Sequence, residues 1–277
     1  MNDKSGLDKT VTINVLSQNL HFTQTENYPI ELYIDTFLKY LGSMKYDILL
    51  FQGFYTSNLY GFGYIGKDWR TKFVKGCNNL GYNHIAYSGA PGLLMQDKGL
   101  MIISKYPLSK YQDQNFKDIT KTWFGPFYEL GFIQVSINLS PRHKVTVINA
   151  KLEYEPICSI HQADQLNEHL RTFSHSDNVI LAGDFGFFTA YQPINLINVF
   201  YNAYGQEKSE DAKVLTFRPL IQDWSSPNKA FQNWSAPDKL FSNLESIKPS
   251  IVTVYTKGNH CSISPHLGIS SSFELKS

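Results

Sequence analysis

The sequence predicts an α/β fold organised around mixed rather than purely parallel β-sheet. The prediction rests on short apolar runs rich in β-branched residues, on amphipathic helical segments between them, and on the order in which the two occur. The runs that predict strands are Val11–Leu16, Ile48–Phe51, Gly99–Ser104, Gly131–Leu139, Lys144–Asn149, Asn178–Leu181 and Ile251–Thr256. Helices are predicted over Pro29–Leu41, where Ile30, Ile34, Phe37, Leu38 and Leu41 recur at helical spacing, over Trp69–Leu80, and over His161–Phe173, where Leu166, Leu170 and Phe173 share a face. Strands alternate with helices early and then cluster in pairs, which is the pattern of a mixed sheet. Gly205–Trp234 is polar with scattered aromatics and is predicted to be a long loop region. Residues 1–10 are predicted to be a flexible polar tail, and residues 11–277 a single domain.

At 277 residues, with 42% hydrophobic and 14% aromatic content, the chain can fill a sizeable core. Its 25 Lys and Arg against 24 Asp and Glu give a net charge of +1, too small a field to attract nucleic acid. No polybasic run points to a membrane surface, and no apolar stretch is long enough for a transmembrane segment. The three cysteines, Cys77, Cys158 and Cys261, lack the spacing of a zinc site and the density of a disulfide framework, so free thiols are expected. Met1–Thr10 carries Asp3 and Asp8 and has neither an apolar signal core nor transit-peptide character, which favours an intracellular location. In that setting Asn138-Leu-Ser and Asn233-Trp-Ser are expected to stay unglycosylated. His21, His84, His143, His161, His169 and His175 share no metal-ligand spacing and are expected to be surface or core residues.

Five blocks carry more information than composition does. They are Val15-Leu-Ser-Gln-Asn19-Leu; Tyr46-Asp-Ile-Leu-Leu-Phe-Gln52-Gly53; Lys98-Gly-Leu-Met-Ile-Ile-Ser-Lys-Tyr-Pro107-Leu; the pair Thr146-Val-Ile-Asn-Ala-Lys151-Leu and Val179-Ile-Leu-Ala-Gly-Asp184-Phe-Gly186; and Pro237-Asp238-Lys-Leu-Phe241 with Ser262-Ile-Ser264-Pro265-His266. In this order and context they resemble the endonuclease/exonuclease/phosphatase (DNase I-like) superfamily, closest in pattern to its neutral sphingomyelinase-like branch. The resemblance implies a four-layer α/β sandwich of two packed mixed β-sheets flanked by helices. It also implies in-line attack of water on a phosphodiester with a divalent cation, Mg²⁺ in active relatives.

Mapped onto this chain, the resemblance gives Asp184 the polarising of water or leaving group, Asp238 and His266 the roles of orienting carboxylate and general acid/base, and Asn19 a place near metal and phosphate. Four positions depart from the pattern. Gly53 stands where the family has its metal-binding Glu, and no acid occurs between Ile48 and Lys67 to replace it. Pro265 stands in place of the second acidic contact, and Gly186 in place of the Asn of Gly-Asp-Phe-Asn. Lys151 stands in place of a phosphate-holding His and brings a fixed charge that repels a metal ion. No cofactor is therefore expected.

The function expected is that of a pseudoenzyme, a degenerate phosphodiesterase fold with a structural or interaction role and protein partners in a larger assembly. Asp184, Asp238 and His266 would then be vestigial catalytic residues. Two alternatives stay open: a phosphodiesterase or sphingomyelinase-like hydrolase with a rearranged, metal-independent site, and a phosphate- or phospholipid-binding module using Asn19 and Lys151. The plainer expectation is that Lys151 is an ordinary solvated lysine and that Asp238 and His266 form a buried hydrogen bond kept for packing. Aromatic residues in Phe51–Tyr64 and Trp123–Tyr128 suit a lipid-facing or a protein-facing surface equally, and core packing accounts for many of them.

Overall fold

A computed structural model of the chain describes residues 10–22, 30–59, 63–65, 67–89, 96–117, 128–174, 176–186, 201–202, 238–242, 244–246, 250–252 and 268–275. Its elements in chain order are β1 Val11–Phe22, α1 Ile30–Ser43, β2 Ile48–Phe54, β3 Ser57–Leu59, β4 Gly63–Ile65, α2 Lys67–Asn79, β5 His84–Tyr87, β6 Met101–Ser104, β7 Leu108–Asn115, β8 Gly131–Asn138, β9 Lys144–Lys151, α3 Pro156–Leu170, β10 Val179–Asp184, β11 Tyr201–Asn202, β12 Asp238–Ser242, β13 Glu245–Ser246, β14 Ser250–Val252 and β15 Gly268–Leu275.

One sheet has the order β13-β15-β1-β2-β6-β5, with β14 also on β15, and the other the order β11-β12-β10-β9-β8-β7. Each is mixed, because each contains one parallel pair made by a strand–helix–strand crossover. These pairs are β1 with β2 around α1, and β9 with β10 around α3. The remaining pairs in both sheets are antiparallel.

Alternation along the strands explains the layering, since successive side chains leave a strand on opposite faces. Ile13 and Val15 of β1, Ile48 and Leu50 of β2, Val145 and Val147 of β9, and Ile180 and Ala182 of β10 join one buried cluster that fills the space between the sheets. Their neighbours of opposite parity face outward. Leu16, Leu49 and Phe51 pack with Ile34, Phe37 and Phe73 of α1 and α2, while Ile148, Ala150, Val179 and Leu181 pack with Ala163, Leu166 and Leu170 of α3. The result is helix, sheet, sheet, helix: the expected four-layer α/β sandwich.

The expected helices form, with shifted ends. α3 begins at Pro156 rather than His161, because Glu155 caps it by accepting from Cys158 N at 2.7 Å and proline sits at the first position, where its missing N–H costs nothing. It stops at Leu170, and Phe173 packs on the same cluster from the turn beyond. The strand expected from Gly99 starts at Met101, since Gly99 has a φ of +63° and donates its N–H to Asp97 Oδ1. The later half of Ile251–Thr256, all of Gly205–Trp234 and Cys261 lie outside the described residues. Among the described residues no helix is long and apolar enough to cross a membrane.

Candidate functional site

At one end of the sandwich the inward-facing alternation continues but the residue type changes. After Ile13 and Val15 the same parity of β1 carries Ser17 and Asn19. After Ile48 and Leu50 it gives Gln52, after Val145 and Val147 it gives Asn149 and Lys151, and after Ile180 and Ala182 it gives Asp184. Each of these polar residues is buried, Lys151 included, so it is not the ordinary solvated lysine expected: its place at the inward parity of β9 carries it between the sheets. They collect where the carboxyl ends of both parallel pairs converge, the end of an α/β sheet that generally holds ligands.

Sheet register lines up the charged members. Lys151 pairs with Asp184, and Asp184 with Asp238 on the antiparallel strand β12, so three adjacent strands present lysine, aspartate, aspartate in one row. Asp184 is wholly buried and well supplied with donors. Its Oδ2 accepts from Asn19 Nδ2 at 2.9 Å and from the Tyr154 hydroxyl at 2.9 Å, and its Oδ1 accepts from Gly186 N at 3.0 Å. Lys151 Nζ lies 3.9 Å from Oδ2 and also meets the Tyr55 hydroxyl.

Electrostatics of the row follow from this geometry. Burial lowers the pKa of Lys151, and the charges of Asp184, Asp238 and Glu153 oppose that shift. Tyr154 has an exposed ring edge but a hydroxyl turned in against Asp184. Desolvation there, together with the negative charges of Asp184 and Asp238, raises its pKa well above the ordinary phenol value, so it remains a donor.

The Asn19 side chain is held at both ends, because its Oδ1 accepts from His21 N at 3.0 Å. A β-bulge between Asn19 and Phe22, with His21 at φ +48°, makes that approach. Facing it is Gly53 at φ +71°, whose missing Cβ would stand 2.5 Å from Asn19 Oδ1 and 2.7 Å from His21 N. Glycine at 53 is thus a requirement of this backbone, not merely an absent carboxylate. Gly186 repeats the situation at φ +58°, where a Cβ would collide with the Glu153 carbonyl oxygen.

Among the described residues the surroundings of Asp184 differ from the shell that a Mg²⁺ ion takes. Such an ion needs oxygen ligands with a carboxylate among them, whereas Gly53 supplies none, Asp184 is engaged by neutral donors, and an ammonium stands 3.9 Å from it. Among the described residues no group of three or more His, Cys, Asp or Glu side chains could hold a metal. His266 and Pro265 lie outside the described residues; Asn19, Lys151, Asp184 and Asp238 are brought together.

Four residues of the site were not among the candidates from sequence. Tyr55 and Tyr154 are loop residues whose contacts come from distant strands, and no pattern marks them. Gln52 and Asn149 could have been found, since each breaks an apolar alternation at inward parity. Gln52 Nε2 donates to Asn149 Oδ1 at 2.6 Å, and Asn149 Nδ2 donates to the carbonyls of Phe51 at 2.8 Å and Met101 at 3.0 Å, tying the two sheets together. A second buried network holds the segment around Tyr55. Asp97 accepts from Thr56 N at 2.9 Å and from Thr56 Oγ1 at 2.9 Å and pairs with Arg70 at 2.6 Å.

No protein-family profile and no curated protein matches the chain. Solved structures do. The chain is similar to the beta toxin of Staphylococcus aureus crystallised with bound magnesium ions, at 15% identity and a TM-score of 0.67 over 94% of this chain and 99% of that one. It is similar to an endonuclease/exonuclease/phosphatase family protein from Leptotrichia buccalis, at 17% identity and a TM-score of 0.66 over 95% and 100%. It is also similar to sphingomyelinase C from Streptomyces griseocarneus, at 13% identity and a TM-score of 0.65 over 95% and 99%. With near-complete coverage on both sides and the two-sheet sandwich already described, the chain has the DNase I-like fold of the endonuclease/exonuclease/phosphatase superfamily.

Proposed function

We propose that this chain is a catalytically degenerate phosphodiesterase-fold protein that works without Mg²⁺ and has a structural or interaction role, as a subunit of a larger assembly. The observation that carries the reading is the buried ammonium of Lys151, in register with Asp184 and 3.9 Å from its carboxylate, together with a Gly53 backbone that has no room for a side chain beside Asn19 and His21. A cation built into the protein takes the electrostatic place of a bound one, and Asp184 is left as a hydrogen-bond acceptor inside a packed network.

One rival reading has an observation of its own. The lowered pKa of Lys151 beside the Tyr55 and Tyr154 hydroxyls suits a metal-independent hydrolase that uses the ammonium to stabilise phosphoryl charge. A single experiment separates the two: purified protein is assayed on sphingomyelin, a phosphoinositide and DNA, with Mg²⁺ and with EDTA. The proposal expects no hydrolysis in either condition. Turnover that persists in EDTA and vanishes in Lys151→Met supports the rival, and turnover that requires Mg²⁺ overturns both.

A further inference from the structure

On the outer face of the second sheet, beyond the last turn of α3, lies an open cleft of about 490 Å³ lined by side chains of β7, β8 and β9, by Arg142 between β8 and β9, and by Phe173, Ser176, Asp177 and Asn178. Three cations edge it: Lys110, Arg142 and Lys144. Lys144 begins β9 and Lys151 ends it, so the cleft and the site described above sit at opposite ends of an eight-residue strand, roughly 23 Å apart at about 3.3 Å per residue.

The chain brings Lys110 there at a conformational cost. Ser109 pairs with Ser136 and Gln112 with Gln134, so β7 carries one extra residue between these pairs, a β-bulge. Lys110 occupies that bulge at φ +51°, a left-handed conformation that glycine adopts freely and lysine does not. Bulges re-aim side chains, and this one turns a lysine toward a second lysine. The charges repel: partial desolvation in the cleft and the neighbouring Lys110 lower the pKa of Lys144, with Asp177 opposing.

Among the described residues none of the three cations forms an ion pair. Asp177, the carboxylate on the cleft wall, accepts from Ser174 N at 2.8 Å and Ser174 Oγ at 2.9 Å and fixes its own turn. The lining is thus two charges net positive, three cations less one carboxylate. Its volume falls in the range of small-molecule sites, and Phe173 gives it one apolar wall.

We propose that this cleft binds the phosphate group of a phosphorylated small molecule or lipid headgroup, with Lys110, Arg142 and Lys144 as its cationic donors and Phe173 as the surface for the remainder of the ligand. Guanidinium supplies planar paired donors and lysine a point charge, the combination that serves oxyanions. A phosphate between Lys110 and Lys144 removes their repulsion.

Lys110→Gly separates binding from folding, because glycine relieves the bulge while deleting the cation. Inorganic pyrophosphate titrated calorimetrically into the full chain is expected to bind at millimolar concentration or below. Lys110→Gly and Lys144→Gln should each weaken that binding by about tenfold, with the thermal midpoint of Lys110→Gly in phosphate-free buffer unchanged or raised. Vesicles of phosphatidylcholine with and without phosphatidic acid distinguish the sources. Sedimentation with phosphatidic acid that pyrophosphate reverses assigns a lipid headgroup, and pyrophosphate binding without sedimentation assigns a soluble ligand. No pyrophosphate binding to the wild-type chain, or binding that both substitutions leave intact, overturns the proposal.

Discussion

Lys151 and Asp184 are register partners on the parallel strands β9 and β10, and the ammonium sits 3.9 Å from the carboxylate with both groups buried. Removing one partner of a buried ion pair strands the other charge. Lys151→Met is therefore expected to lower unfolding free energy by about 3 kcal/mol, and the double variant Lys151→Met, Asp184→Asn to lose less than the sum of the two singles. Urea denaturation of the four proteins measures the coupling. Additive losses would mean that the two residues do not act as a pair.

Gly53 faces Asn19 and His21 across the bulge in β1, at φ +71°. Gly53→Glu supplies the carboxylate that the sequence resemblance implies at this position, yet a Cβ there would stand 2.5 Å from Asn19 Oδ1 and 2.7 Å from His21 N. The expected result is a loss of about 2 kcal/mol or more with no Mg²⁺ binding gained. A stable, Mg²⁺-binding Gly53→Glu protein would show that position 53 is limited by sequence alone.

How much of this was legible in the sequence depended on whether apolar residues set the pattern. β1, β2, β9 and β10 carry Ile, Val and Leu at strand spacing and were readable, and so were the amphipathic faces of α1 and α3. β15 was not, because Ser270, Ser271 and Ser272 occupy the middle of a strand that pairs with Val11–Ser17 of β1. β7 is a polar edge strand with an exposed outer half, so no periodicity marks it. The row of Lys151, Asp184 and Asp238 was readable as motifs, and Tyr55 and Tyr154 were not, since only tertiary packing brings their hydroxyls to the row.

Arg70 holds Asp97 at 2.6 Å and donates to the Phe54 carbonyl at 2.5 Å, so it pins the segment that delivers Tyr55 to Lys151. With Asp97 wholly buried, Arg70→Met is expected to cost about 3 kcal/mol by urea denaturation. A loss below about 1 kcal/mol would place the pair among weak surface-type bridges.

His169 gives a pH dependence. Its Nε2 meets Gln134 Oε1 at 2.7 Å and its ring packs on Phe132 and Phe173, and burial lowers its pKa below the ordinary 6.5. As pH falls through 6.5 the unfolded chain takes up a proton that the folded chain refuses, so stability is lost on the acid side. The drop in urea midpoint between about pH 7.5 and about pH 5.5 is expected to be smaller in His169→Gln than in the wild type. An equal drop in both would assign the acid sensitivity to other groups.

Mg²⁺ titration followed by calorimetry asks whether the Lys151 ammonium takes the place of a divalent cation. No saturable Mg²⁺ heat is expected for the wild-type chain. Saturable millimolar binding that Asp184→Asn abolishes would contradict it.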